Sequence, residues 1–208
     1  GETAFATCVY SKHEITRIAN QAFQAAMGRS KKLTLVDNAN VIATSRLWRE
    51  TVTELAKEYP EVTLDFMFVD NAAMKLIKQP AYFDVMLTEN LFGDILSDEA
   101  SVIAGSLGLL PSASIGDKFS LFEPVHGSYP QVAGQNKANP MAAILSAAML
   151  LEYAFHLYEE AKTIRLAVDK ALDAAYVTED INDNNAKSTS EVGDFIAKQI
   201  LEQSVATV

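Results

Sequence analysis

The sequence predicts an α/β fold, and three observations predict it. Segments with apolar residues at the helical period alternate with short runs rich in β-branched and aromatic residues. Polar residues close each of the first three runs, a placement that in open α/β sheets marks the ligand-binding rim. At 49% hydrophobic, 208 residues suffice to bury a core in one large domain or two small ones.

The elements follow in order. Over 13–28, Ile15, Ile18, Ala19, Ala22, Phe23 and Ala26 form one helical face, with Gly28 as its stop. LTLV (33–36) reads as a buried strand, and 45–59 as a helix with Leu47, Trp48, Val52, Leu55 and Ala56 inward, ended by Pro60. TLDFMFVD (63–70) reads as a strand, with Asn71 capping a short helix that Pro80 terminates. FDVMLTEN (83–90) is a third strand running into the helix of NLFGDILSDEA (90–100). Three strand ends thus aim Asp37/Asn38, Asp70/Asn71 and Glu89/Asn90 at one rim. From residue 105 the chain turns Gly/Ser/Pro-rich, and 120–140 reads as a long functional loop anchored by Leu121, Phe122, Val125 and Val132. Helices follow over 140–157, with Pro140 in the first turn, over 159–176, and from Ser188, where Ser188 and Glu191 form a capping box. The division expected is 1–104 and 105–208.

Charge and cysteine usage narrow the function. A formal charge of −10 without a Lys/Arg-rich run argues against nucleic acid. Cys8 alone permits neither an internal disulfide nor a cysteine zinc cluster, and a reducing cytoplasmic setting is expected. The apolar stretch 141–155 is too short to span a bilayer, and GETAFATCVY lacks a basic start leading into an apolar core. Arg17, Arg29, Arg46, Arg49 and Arg165 read as solvated charge.

The chemistry concentrates at the rim. Asp94 and Asp98, four residues apart, share a helix face about 5–6 Å apart. One reading is a solvated first turn, where acids suit the helix dipole. The other, favoured by the apolar Ile95 and Leu96 between them, joins them to Asp70 at the end of a different strand as a hard-cation site for Mg²⁺ or Mn²⁺, since no thiolate or histidine cluster is near.

VDNAAMKLIKQPAYFDVMLTENLFGDILSDEASVIAGSLGLLPSAS (69–114) resembles the signature of the β-decarboxylating dehydrogenases, which act on isopropylmalate, isocitrate, tartrate and homoisocitrate. The likeness runs from AFATCVY (4–10) to STSEVGDFIA (188–197), and TSRLWRE (44–50) is most similar to the isopropylmalate branch. The resemblance implies a two-domain fold with a mixed sheet flanked by helices, incomplete here, and NAD-dependent oxidative decarboxylation of a 2-hydroxy-3-carboxy acid. The implied acid is 3-isopropylmalate, of leucine biosynthesis. It makes residues 1–104 the dimer-forming, metal and substrate domain and 105–208 the end of the nucleotide domain. Asp70, Asp94 and Asp98 are its metal ligands, Asp70 reaching in from the neighbouring subunit of a homodimer, and Tyr10 is its catalytic acid. By residue type alone, Tyr10 reads as a packing residue. EPVHGSYPQVAGQNKANP (123–140) corresponds to the cofactor loop, with Glu123, His126, Gly127, Ser128, Gln131 and Asn139 on contact positions; Asn40 and Asn90 face the nicotinamide half. Taken alone, His126 reads as a loop histidine, and the two asparagines as turn or cap residues.

Three departures qualify the resemblance. Asn38 stands at the family's proton-accepting lysine, and an amide cannot accept that proton. Tyr129 and Gln131 stand where NAD-using members commonly carry Ala and Asp; no adjacent cation invites a 2′-phosphate, so NAD remains the expected cofactor. About the first third of the family's chain, with its substrate-gripping arginines, is absent. The chain alone is therefore expected to turn over little, and the alternative is a non-catalytic subunit or a dimerisation or ligand-binding module of the same fold.

Overall fold

A computed structural model describes residues 1–206 of the chain, with side chains to Gln203. Two compact units divide it, Gly1–Ile103 and Ala104–Val208.

In the first unit, helix α1 (Lys12–Met27) opens on a capping box the sequence reading passed over. The Ser11 N–H donates to Glu14 Oε2 at 2.8 Å, and the Glu14 N–H to Ser11 Oγ at 3.3 Å. Gly28 closes the helix with an ordinary φ of −80°; the left-handed residue that turns the chain into the sheet is Lys31, at φ 59°. Strand β1 (Lys32–Asp37) is central, pairing in parallel with β2 (Thr63–Phe68) on one side and β3 (Val85–Thr88) on the other. Both faces of β1 are covered, hence its unbroken burial from Leu33 to Asp37. Helices α1 and α2 (Ala43–Leu55) bury Ile15, Phe23, Trp48 and Val52 against Leu33 and Leu35. Helices α3 (Val69–Lys78) and α4 (Asn90–Ala104) bury Ala72, Leu76 and Leu96 against Val36 and Met67.

Two expectations fail here. The second strand stops at Phe68, so Asp70 lies in the first turn of α3 and not at a strand end. Phe68 takes the N-cap position and no side chain caps this helix, so Asn71 is not a cap. An amphipathic helix that packs by one face can forgo a cap, at about 1 kcal/mol.

In the second unit, β4 (Pro111–Ile115) and β5 (Ser120–Pro124) form an antiparallel pair in what read as loop, with Ala113 opposite Phe122. Among the described residues each has one partner, so each leaves an open edge. Parallel and antiparallel pairing therefore occur in separate sheets. Helices α5 (Met141–Phe155), α6 (Tyr158–Asp173) and α7 (Thr189–Ala206) enclose Met141, Ala167, Val168, Val177, Val192 and Ile196. Pro140 occupies the N-cap of α5 rather than its first turn. The box predicted at Ser188 forms: its N–H donates to Glu191 Oε2 at 2.9 Å. No helix among the described residues is long and apolar enough to cross a membrane.

Candidate functional site

Because β1, β2 and β3 run parallel, their carboxyl ends share one rim. There the structure separates anchors from groups left available. Asp37, 2% exposed, takes a two-point contact from Arg49, with Nε and Nη2 each 2.8 Å from its oxygens, and accepts the Ala39 N–H at 3.0 Å. The Arg49 guanidinium also lies 5.0 and 5.3 Å from the Phe66 and Phe68 rings. Arg49 thus locks the rim; Arg29 pairs with Asp84 at 2.7 Å and Arg165 with Glu152, so these three charges, read as solvated, are also paired, Arg29 while staying 60% exposed. Asn38 begins the turn into α2, its carbonyl accepting from the Val41 and Ile42 N–H groups at 3.1 and 2.9 Å. Its half-buried side chain makes no hydrogen bond, and Asn40 is exposed in the same turn.

Tyr10 reaches this rim from the segment before α1. Its hydroxyl accepts the Asn90 N–H at 3.1 Å, and its ring meets Trp48 edge-on at 5.4 Å. Burial pushes the Tyr10 hydroxyl above its ordinary pKa, the Asn90 N–H opposes this, and the Cys8 and Glu89 charges add to the rise. The adjoining Glu89 is 6% exposed with Oε2 unpaired; burial first, and the Asp37 charge second, push its carboxyl up.

The three acids of the proposed metal site do not gather within one chain. Among the described residues no three His, Cys, Asp or Glu side chains group closely enough to hold an ion. The sheet order explains this: α3 follows β2 and α4 follows β3, with β1 between them, about 10 Å of sheet. Asp94 and Asp98 are exposed together on α4. Gly93, just before them, lets α4 start against β3, where a Cβ would stand 3.2 Å from Thr88 Cγ2. Of the two apolar positions between these acids, Leu96 is buried but Ile95 is 58% exposed, so only one of them turns into the chain's own core. Instead Leu91, Ile95, Asp98 and Val102 run as one stripe at i, i+4, i+7 and i+11, every member exposed. On α3, Asp70, Met74 and Ile77 make a second exposed stripe on the same side of the sheet. Each apolar stripe carries an acid, and neither is covered by the chain itself.

The second unit holds a cavity of about 810 Å³, within the size of small-molecule sites. Of the residues expected to contact the cofactor, His126, Gly127, Ser128 and Asn139 line it, and Glu123 and Gln131 do not. Sequence reasoning missed the wall opposite, which comes from 106–108 and from the 179–186 stretch that read only as a polar tract. Asp180 ties these segments together, accepting from Ser106 Oγ, from Thr178 Oγ1, and from Asn139 Nδ2 at 3.0 Å. Packing pushes its carboxyl up, but the two hydroxyls and the amide outweigh that and hold it below the usual range. Asn139 Oδ1 in turn accepts the Met141 N–H at 3.0 Å, fixing the start of α5. Gly108 is required by contact, since a Cβ there would lie 2.7 Å from Asn139 Cβ. His126 Nδ1 lies 2.9 Å from the Gly127 carbonyl, so it carries the proton and leaves Nε2 towards other partners. A room of this volume, lined by two glycines, an amide and hydroxyls, is large enough for a small-molecule ligand.

Comparison with known proteins places the chain in a family. The family model described as isocitrate/isopropylmalate dehydrogenase matches residues 1–196. The 3-isopropylmalate dehydrogenase of Clostridium acetobutylicum is 53% identical over 201 residues, covering 95% of this chain and 56% of that protein. That of Sulfurimonas denitrificans is 58% identical over 194 residues, covering 92% and 55%. The chain thus spans about half the length of the curated relatives it matches. Among solved structures, isocitrate dehydrogenase from Methylococcus capsulatus superposes with a TM-score of 0.87 at 39% identity, covering 93% of this chain and 58% of that one. A β-decarboxylating dehydrogenase from Thermococcus kodakarensis in its apo form gives 0.87 at 40%, covering 93% and 57%. The chain belongs to the isocitrate/isopropylmalate dehydrogenase family.

Proposed function

We propose that this chain is part of an oxidoreductase that oxidises a 2-hydroxy-3-carboxy acid with NAD and then decarboxylates it, with 3-isopropylmalate in leucine biosynthesis as the substrate. The observation that carries the reading is the rim of the first unit, where Tyr10 is held by the backbone of Asn90 one turn before Asp94. Asp94 and Asp98 of one copy, with Asp70 of a second, would hold Mg²⁺ or Mn²⁺; their all-oxygen chemistry suits a hard cation. When bound, the metal draws charge from the new carbonyl and so eases loss of CO₂, while NAD takes the hydride. Tyr10, its hydroxyl already accepting one hydrogen bond, keeps its own proton to give to the carbon that CO₂ leaves. The homodimer is supported by the two acid-bearing apolar stripes on α3 and α4, and a cytoplasmic setting by the exposed free thiol of Cys8.

Asn38 limits this chemistry, because its amide accepts no proton at neutral pH. By itself this chain is expected to produce little NADH from 3-isopropylmalate, and robust turnover would contradict that. The same residue favours a second reading, a non-catalytic subunit that retains ligand binding. Asn38→Lys in a version as long as the relatives separates them: recovered NADH production supports the enzyme, and continued silence supports the subunit.

A further inference from the structure

Resting on the reading of Tyr10 as the proton donor, we propose that Glu89 is a positioning residue acting through it: the buried carboxylate opposes charge on the phenolic oxygen, so that Tyr10 recovers its proton after each donation. One peptide group carries the geometry. The N–H between Glu89 and Asn90 donates to the Tyr10 hydroxyl at 3.1 Å, and the carbonyl of the same group accepts the Gly93 N–H at 2.9 Å. The first turn of α4 thus fixes the phenol against the backbone of Glu89. That residue is 6% exposed and its Oε2 has no partner. An unpaired buried carboxyl destabilises a fold, so its presence calls for a use outside packing.

The neighbouring charges leave Glu89 in that role. Asp37, which faces it from β1, is clamped through both oxygens by Arg49 of α2. Trp48, the α2 side chain against the Tyr10 ring, is uncharged. Cys8, exposed in the segment that carries Tyr10, acts in the same sense as Glu89 through its charge and a side-chain hydrogen bond. Burial disfavours a tyrosinate most, the Asn90 N–H at the positive end of α4 favours one, and the Cys8 and Glu89 charges disfavour it; the neutral phenol prevails. Once Tyr10 has protonated the carbon that CO₂ leaves, its oxygen takes a proton from solvent water and releases hydroxide. A carboxylate close by raises the energy of the tyrosinate and so drives that return.

Fluorine NMR of this chain labelled with 3,5-difluorotyrosine tests the coupling without turnover, since the ring fluorines bring the phenol's titration down towards neutral pH. Tyr10→Phe identifies the resonance. Every sample carries Cys8→Ser, which removes the thiol, and in that background Glu89→Gln should raise the Tyr10 ionisation constant about two- to fivefold. Glu89→Asp, which keeps the charge, should produce less than about half of that change. An unmoved or higher titration midpoint in Glu89→Gln, or equal shifts in the two variants, overturns the inference, because a packing role alone does not move the phenol's titration with charge. The donor reading is decided separately: unchanged decarboxylation by Tyr10→Phe in a version as long as the relatives removes it, and the role of Glu89 with it.

Discussion

The rim of the first unit and the cavity of the second are built on opposite plans. The rim is delivered by three parallel strands, so residues far apart in sequence arrive at one level because of strand register alone. Its structural charge is locked away in Asp37 and Arg49, while Glu89 Oε2 is left without a partner and the Tyr10 hydroxyl is held by the Asn90 N–H at its edge. The cavity has no such frame. Segments 106–108, 126–129, 137–139 and 179–186 enclose it, and Asp180 with Asn139 stitches them together. A regular frame tolerates unsatisfied groups at its edge, where chemistry needs them; a loop-built site must spend its polar groups on holding its own shape.

That contrast can be broken or sharpened by substitution. The largest effect is expected from Tyr10→Phe in a version as long as the relatives. Removing the proposed proton donor should slow decarboxylation about 10²- to 10⁴-fold while leaving AMP binding intact, read by steady-state kinetics and calorimetry. Next is Arg49→Met, which keeps the stem over Phe66 and Phe68 but strands the buried Asp37 carboxylate. With Arg49 partly solvated the cost should fall at the low end for broken buried pairs, about 3 kcal/mol in urea denaturation. Gly108→Ala forces a methyl against Asn139 and should cost about 1–3 kcal/mol while weakening AMP binding, an effect confined to the cavity.

The smallest effect is Glu89→Gln. The folded-state pKa of Glu89 lies above its unfolded value, so its contribution is most favourable below the ordinary glutamate pKa and is lost as pH rises through the raised one. The variant should therefore melt higher than the parent at neutral pH, with the gain fading towards pH 4; a gain growing as pH falls would contradict the burial argument.

Much of the rim was legible because strand periodicity and strand ends carry position directly. Asp37 and Glu89 were assigned to it from sequence, although their opposite fates, one clamped and one unpaired, depend on Arg49 reaching back from α2. Asp70 was misplaced by two residues of strand, because Val69 continues the β-branched and aromatic texture into what folds as helix. In the second unit His126, Gly127, Ser128 and Asn139 were readable only through resemblance, which points to a loop and not to what faces it. Glu179, Asp180 and Asp183 sit in a polar stretch whose composition suggests solvent, and the role of Asp180 comes from contacts across 41 to 74 residues of chain.

The most direct test of the account is metal binding by complementary variants. Asp70→Asn in one sample and Asp94→Asn with Asp98→Asn in another should each abolish high-affinity Mn²⁺ binding, followed by electron paramagnetic resonance. Mixing the two chains under exchange should restore it, because each mixed pair then contains one intact set of three carboxylates. Binding by the Asp70→Asn sample equal to the unaltered chain, or a mixture that stays silent, would contradict a metal site shared between two copies.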